Sequence, residues 1–83
     1  MTQTNQSVAQ WLYNEIMEKG YVDQGSAVYE ISKKFGDTFV YTNKNGNLAI
    51  SEKVLGEFKK LKNNISEGSI EWDRSERAWR YKQ

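Results

Sequence analysis

The chain has 83 residues, with 12 Lys and Arg against 11 Asp and Glu for a formal net charge of +1, and it contains neither Cys nor His. That length supports one small domain in which burial is marginal, so three Trp, five Tyr and three Phe must supply the packing that no disulfide or thiolate metal site can. The near-neutral balance excludes the strongly basic composition of a non-specific nucleic-acid binder, and any electrostatic role must come from how the charge is distributed.

Residues 1–6 are polar, without an apolar segment or a basic run, which predicts a disordered tail, no signal peptide or membrane span, and a cytoplasmic protein. The folded domain is expected over 7–83. Ser7-Val8-Ala9-Gln10 fits a capping box that opens a helix, and Val8, Trp11, Leu12 and Ile16 recur at helical spacing until Gly20 stops it. Tyr21-Val22 is extended, and could pair with an edge of a C-terminal hairpin. Asp23 to Ser26 offers caps for a second helix, which carries Ala27, Val28, Ile31 and Phe35 to a stop at Gly36, with Lys33 and Lys34 in its last turn.

Thr38 to Thr42 is rich in β-formers, and Asn43-Lys44-Asn45-Gly46-Asn47 is a turn signal before Leu48-Ala49-Ile50. This stretch could be a short extra hairpin, or an ordered loop whose Phe39, Tyr41, Leu48 and Ile50 plug the core. Ser51 caps a third helix with Ile50 stapled on Leu55, and Val54, Leu55, Phe58 and Leu61 form its buried stripe. Its other side carries Lys53, Lys59, Lys60, Lys62 and Asn63.

After a loop over 64–69, Ile70-Glu71-Trp72-Asp73 and Ala78-Trp79-Arg80-Tyr81 flank the polar turn Arg74-Ser75-Glu76-Arg77. Folded as a hairpin, the segment sets Trp72 opposite Trp79 and Ile70 opposite Tyr81 on one face, with Glu71 beside Arg80 on the other. A slip of one residue would destroy both aromatic pairings. Both tryptophans are expected to serve the core. The fold class is α+β and winged-helix-like: three helices with a C-terminal two-stranded hairpin.

Without His or Cys the chain lacks the commonest general base, metal ligand and nucleophile, and no phosphate-binding glycine loop or calcium loop is present. The carboxylates lie among polar neighbours that explain them as solvated surface. These features predict no enzyme, no cofactor and no metal. What remains is a binding surface, with Lys53, Lys59, Lys60 and Asn63 on the third helix and Arg74 and Arg77 at the hairpin tip as the candidate nucleic-acid contacts.

The run Asn45-Gly46-Asn47-Leu48-Ala49-Ile50, then Val54-Leu55 and Phe58, and finally Trp72, Arg77, Trp79 and Arg80, resembles a family of short bacterial and phage proteins carried as a domain of unknown function. The resemblance spans about Val8 to Tyr81 and implies a winged-helix-like fold, with no functional residues to carry over. It also implies a prophage or mobile-element accessory protein. Two readings stand side by side: a DNA-binding or regulatory module that takes double-stranded DNA, and a protein-interaction module that docks on a host or phage protein without binding nucleic acid.

Overall fold

The structure is a computed structural model that describes residues 4–65 and 68–82. Residues 1–3 of the expected tail lie outside the described residues. The first helix, α1, runs Asn5–Lys19 and so begins within the segment expected to be tail. Its cap is Thr4: the Ser7 amide donates to Thr4 Oγ1 at 3.1 Å, and the Thr4 amide donates to Ser7 Oγ at 2.9 Å. Ser7 therefore closes a capping box as its third helical residue, where a short hydroxyl does the work usually given to Glu or Gln. The expected Ser7–Gln10 box is one turn too late. Val8, Ala9, Leu12 and Ile16 are buried, and Gly20 ends the helix at φ 78°, its amide donating to the Ile16 carbonyl at 2.7 Å.

Strand β1, Tyr21–Asp23, leads directly into helix α2, Gln24–Phe35. Asp23 ends one and caps the other, its Oδ2 accepting from the Ser26 amide at 3.0 Å. Ala27, Val28 and Ile31 form the buried face of α2, and Gly36 stops it at φ 93°. A short 3-10 turn, Asp37–Phe39, then feeds β2, Val40–Thr42, which pairs with β3, Leu48–Ile50. The hairpin alternative is the one formed. Asn43 organises its turn: Oδ1 accepts from the Asn45 and Asn47 amides, both at 3.0 Å, while Gly46 takes φ 81°. Of the four expected plugs, Phe39 and Ile50 are buried; Tyr41 and Leu48 point outward.

Helix α3, Glu52–Asn63, is capped by Ser51, and buries Val54 and Phe58 with Leu55 and Leu61 partly covered beside them. It packs chiefly on α1. Strands β4, Ser69–Asp73, and β5, Ala78–Lys82, close the chain in the expected register, with Ile70 opposite Tyr81, Glu71 opposite Arg80 and Trp72 opposite Trp79. β1 adds to the far side of β5, so the antiparallel sheet has the order β1-β5-β4. Val8, Leu12, Ile16, Ile31, Ile50 and Val54 are fully buried between the helices and this sheet. Phe58 of α3 meets the Trp79 ring edge-on at 5.8 Å, which ties the helix to the central strand.

The expectation of two core tryptophans needs a correction. Trp79 is 6% exposed, but Trp72 is 40% exposed. Both rings share one face of the hairpin, yet β5 is flanked on both sides whereas β4 is an edge strand, so Trp72 is covered from one side only. On the other face, Glu71 pairs with Lys82 at 3.0 Å, while Arg80 is claimed by Asp73 at 3.6 Å and by Glu76. Arg80 also lies over the Tyr21 ring, 5.0 Å from its centroid.

Candidate nucleic-acid interface and the adjoining groove

The helical period divides the polar residues of α3 between two shoulders of its exposed side. Lys53 and Lys60, seven residues apart, share one shoulder, and Asn63 follows three residues after Lys60. Leu55, Lys59 and Lys62 follow the i, i+4, i+7 spacing on the other, which faces the hairpin. Lys53, Lys59, Lys60 and Asn63 are all exposed. Lys60 holds Glu57 at 3.3 Å, an exposed i,i+3 pair worth little. Among the described residues Lys53, Lys59 and Lys62 make no salt bridge.

The two arginines of the hairpin turn have different surroundings. Asp73 Oδ1 gathers the turn by accepting from the Ser75 hydroxyl at 2.7 Å and from the Ser75 and Glu76 amides at 3.0 and 3.2 Å. Those bonds, the Ser75 hydroxyl foremost, hold the Asp73 carboxyl below its ordinary range. Arg74 is left exposed at the tip. Arg77 takes the left-handed conformation, φ 53°, and reaches back to α2: its Nη2 donates to Gln24 Oε1 at 3.5 Å and its carbonyl accepts from the Gln24 amide at 2.8 Å. The Arg77 side chain is thus engaged with α2.

The groove on the hairpin side of α3 is a feature that sequence reasoning did not identify. Its walls are Glu52, Leu55, Gly56, Lys59 and Lys62 of α3 against Trp72, its floor is Phe58 and Trp79, and it has a volume of about 410 Å³. The i, i+4, i+7 spacing was one available signal. The other was the pairing of Tyr21-Val22 with the hairpin, which leaves one hairpin strand at the sheet edge and its aromatic residue half covered.

The main chain at that edge is also unpartnered. The Tyr81 amide donates to the Gly20 carbonyl at 3.0 Å, and Gln24 donates to Arg77, so odd-numbered residues of β5 bond towards β1. Even-numbered residues therefore bond towards β4, and Glu71 exchanges hydrogen bonds with Arg80. The N–H and C=O groups of Ile70 and Trp72 consequently point away from the sheet, and nothing among the described residues pairs with them.

Among the described residues no group of three His, Cys, Asp or Glu is placed to hold a metal ion. No helix among them is long and apolar enough to cross a membrane. A family model described as "Family of unknown function (DUF6953)" matches residues 4–81. The chain belongs to that family. Comparison with curated proteins and with solved structures gave no match. Membership thus accounts for nearly the whole folded chain and leaves its activity to be argued from the surface.

Proposed function

We propose that this member of the family is a non-enzymatic DNA-binding or regulatory module of winged-helix type, with α3 in the major groove of a duplex and the β4–β5 turn as the wing. The observation that carries the reading is the exposed shoulder of α3 that bears Lys53, Lys60 and Asn63, presented by a body whose order α1-β1-α2-β2-β3-α3-β4-β5 and sheet order β1-β5-β4 resemble a winged helix with the β2–β3 hairpin added between α2 and α3. Lys53 and Lys60 supply phosphate contacts, and Asn63 offers an amide that can read adenine. The Lys60–Glu57 pair is no obstacle, because so exposed a pair is easily exchanged for a phosphate. Arg74 serves as the wing contact; Arg77 is committed to Gln24. Lys59 sits at the margin between this surface and the groove.

The setting that fits the reading is a cytoplasmic protein of bacterial, prophage or mobile-element origin, acting without cofactor or metal. The test is the affinity of the full chain for a labelled random-sequence duplex, followed by fluorescence anisotropy across a salt series. Lys53, Lys59, Lys60 and Arg74 give about four phosphate contacts, and the slope of log K against log salt is then about −3 to −4. Absence of salt-sensitive binding at micromolar protein overturns the proposal.

A further inference from the structure

We propose that the free edge of β4 and the groove beside it form a second binding site, which takes an extended acidic–apolar peptide segment as an added strand. This goes beyond DNA binding and uses the opposite shoulder of α3, which shares only Lys59 with the proposed DNA surface. Three independent features converge on it. The main-chain groups of Ile70 and Trp72 face outward without partners among the described residues, which is the hydrogen-bonding template that strand addition requires. The Trp72 ring, 40% exposed, and Leu55 stand beside that template as an apolar seat. Lys59 and Lys62 rim the seat with no carboxylate paired to either among the described residues, and they outnumber Glu52, the one carboxylate that lines the groove there.

Strand geometry turns these features into a partner chemistry. A guest strand lies about 4.8 Å beyond β4, and its alternate side chains face the same side as Trp72. Of those inward residues, a central leucine or phenylalanine packs on Trp72 and Leu55. Carboxylates two positions away on either side fall towards Lys59 and Lys62. The outward residues of the guest lie next to Glu71 and Asp73, whose exposed pairs with Lys82 and Arg80 are weak enough to be shared with cations there.

The same outer carboxylates argue against a second copy as the occupant. Antiparallel self-pairing centred on Glu71 sets that residue against its own copy, and centring on Trp72 sets Glu71 against Asp73. A charged edge of this kind resists pairing with itself while leaving its main chain open to a partner of opposite pattern.

The test uses the full chain, isotopically labelled, and a synthetic capped peptide Thr-Glu-Lys-Leu-Lys-Glu-Thr, with amide shifts and hydrogen exchange followed by NMR. The expected result is a saturable shift and slowed exchange at the Ile70 and Trp72 amides. Reversing Lys59 and Lys62 together to Glu weakens binding about tenfold, and N-methylation of the peptide on alternate residues abolishes it. Lys53→Glu with Lys60→Glu leaves peptide binding unchanged, which separates this site from the proposed DNA surface. Trp72→Ala is a further variant, and the charge reversal at exposed Lys59 and half-buried Lys62 keeps the test decisive if that variant is unstable. The proposal is overturned by shifts elsewhere than β4, by binding indifferent to the charge reversal, or by the absence of any response at millimolar peptide. It is equally overturned if the same amides shift with protein concentration alone, or if a single-stranded oligonucleotide rather than the peptide protects them.

Discussion

The rings of Trp72 and Trp79 stand 4.9 Å apart, tilted by 57°, across the β4–β5 ladder, yet one is buried and the other is open to solvent. Trp79 lies on the central strand against Phe58, where its removal leaves a cavity in the seam between α3 and the sheet. Trp79→Ala is expected to cost about 3–5 kcal/mol, a large share of the stability of so small a domain. Trp72→Ala, on the edge strand, is expected to cost less than half as much. Denaturant melts of the two variants followed by circular dichroism measure the difference.

Gly68 and Gly20 both take positive φ, 75° and 78°, but they differ in what surrounds them. A Cβ on Gly20 meets nothing within 4 Å, whereas one on Gly68 falls 2.5 Å from the Lys82 carbonyl and 2.8 Å from the Tyr81 hydroxyl. Gly20→Ala should therefore show only the conformational penalty of about 1–2 kcal/mol. Gly68→Ala must also push the start of β4 away from β5, and its midpoint in urea should fall further. Equal midpoints for the two variants would mean that the approach of residue 68 to β5 is not tight.

Asp23 and Asp73 both have carboxyls held below their ordinary range, Asp23 by the Ser26 amide at the start of α2 and Asp73 by Ser75 and its neighbours in the hairpin turn. A carboxyl whose folded pKa is depressed contributes stability that is complete above the unfolded value, about 3.9, and is lost as pH falls through the lower, folded value. Urea midpoints should be flat from neutral pH down to about 4 on this account and decline below it. The double variant Asp23→Asn, Asp73→Asn keeps an accepting Oδ1 at both caps but cannot titrate, so its acid decline should be shallower. Asp23→Ala removes the cap itself and should cost about 1 kcal/mol at neutral pH.

The residues show why some of the fold could be read in advance and some could not. The β4–β5 register was legible because Ile70, Trp72, Trp79 and Tyr81 alternate with charged residues, and only one alignment puts all four on one face. Period-two alternation gives the face but not the flank, so it could not reveal that β4 lies at the sheet edge and that Trp72 is exposed. Ser7 was misplaced by one turn because Thr4-x-x-Ser7 lacks the Glu or Gln that marks a capping box, while Ser7-x-x-Gln10 carries it. In the middle segment, Asn43 favours a tight turn, but only its two amide hydrogen bonds distinguish a hairpin from a loop. The shoulder of Lys53 and Lys60 followed from helical spacing. The engagement of Arg77 did not, since its bond to Gln24 joins residues 53 positions apart and exists only once the hairpin has docked on α2.

The division of α3 into two shoulders also makes the DNA reading separable residue by residue. Lys60→Glu replaces a phosphate contact by a like charge and should weaken binding to every duplex, with a shallower salt slope. Asn63→Ala should leave affinity for random duplex nearly unchanged and alter preference among sequences, because base contacts supply choice and phosphate contacts supply most of the affinity. Arg74→Ala should resemble Lys60→Glu in kind but be weaker, whereas Arg77→Ala should affect the docking of the hairpin on α2 before it affects DNA. All four positions are exposed, so melting temperatures should stay close to the parent's for Lys60→Glu, Asn63→Ala and Arg74→Ala. Anisotropy titrations against random and selected duplexes, run beside thermal melts, distinguish these outcomes. If Lys60→Glu binds every duplex like the parent while Arg77→Ala does not, and both melt like the parent, then the duplex does not lie along the Lys53–Lys60 shoulder.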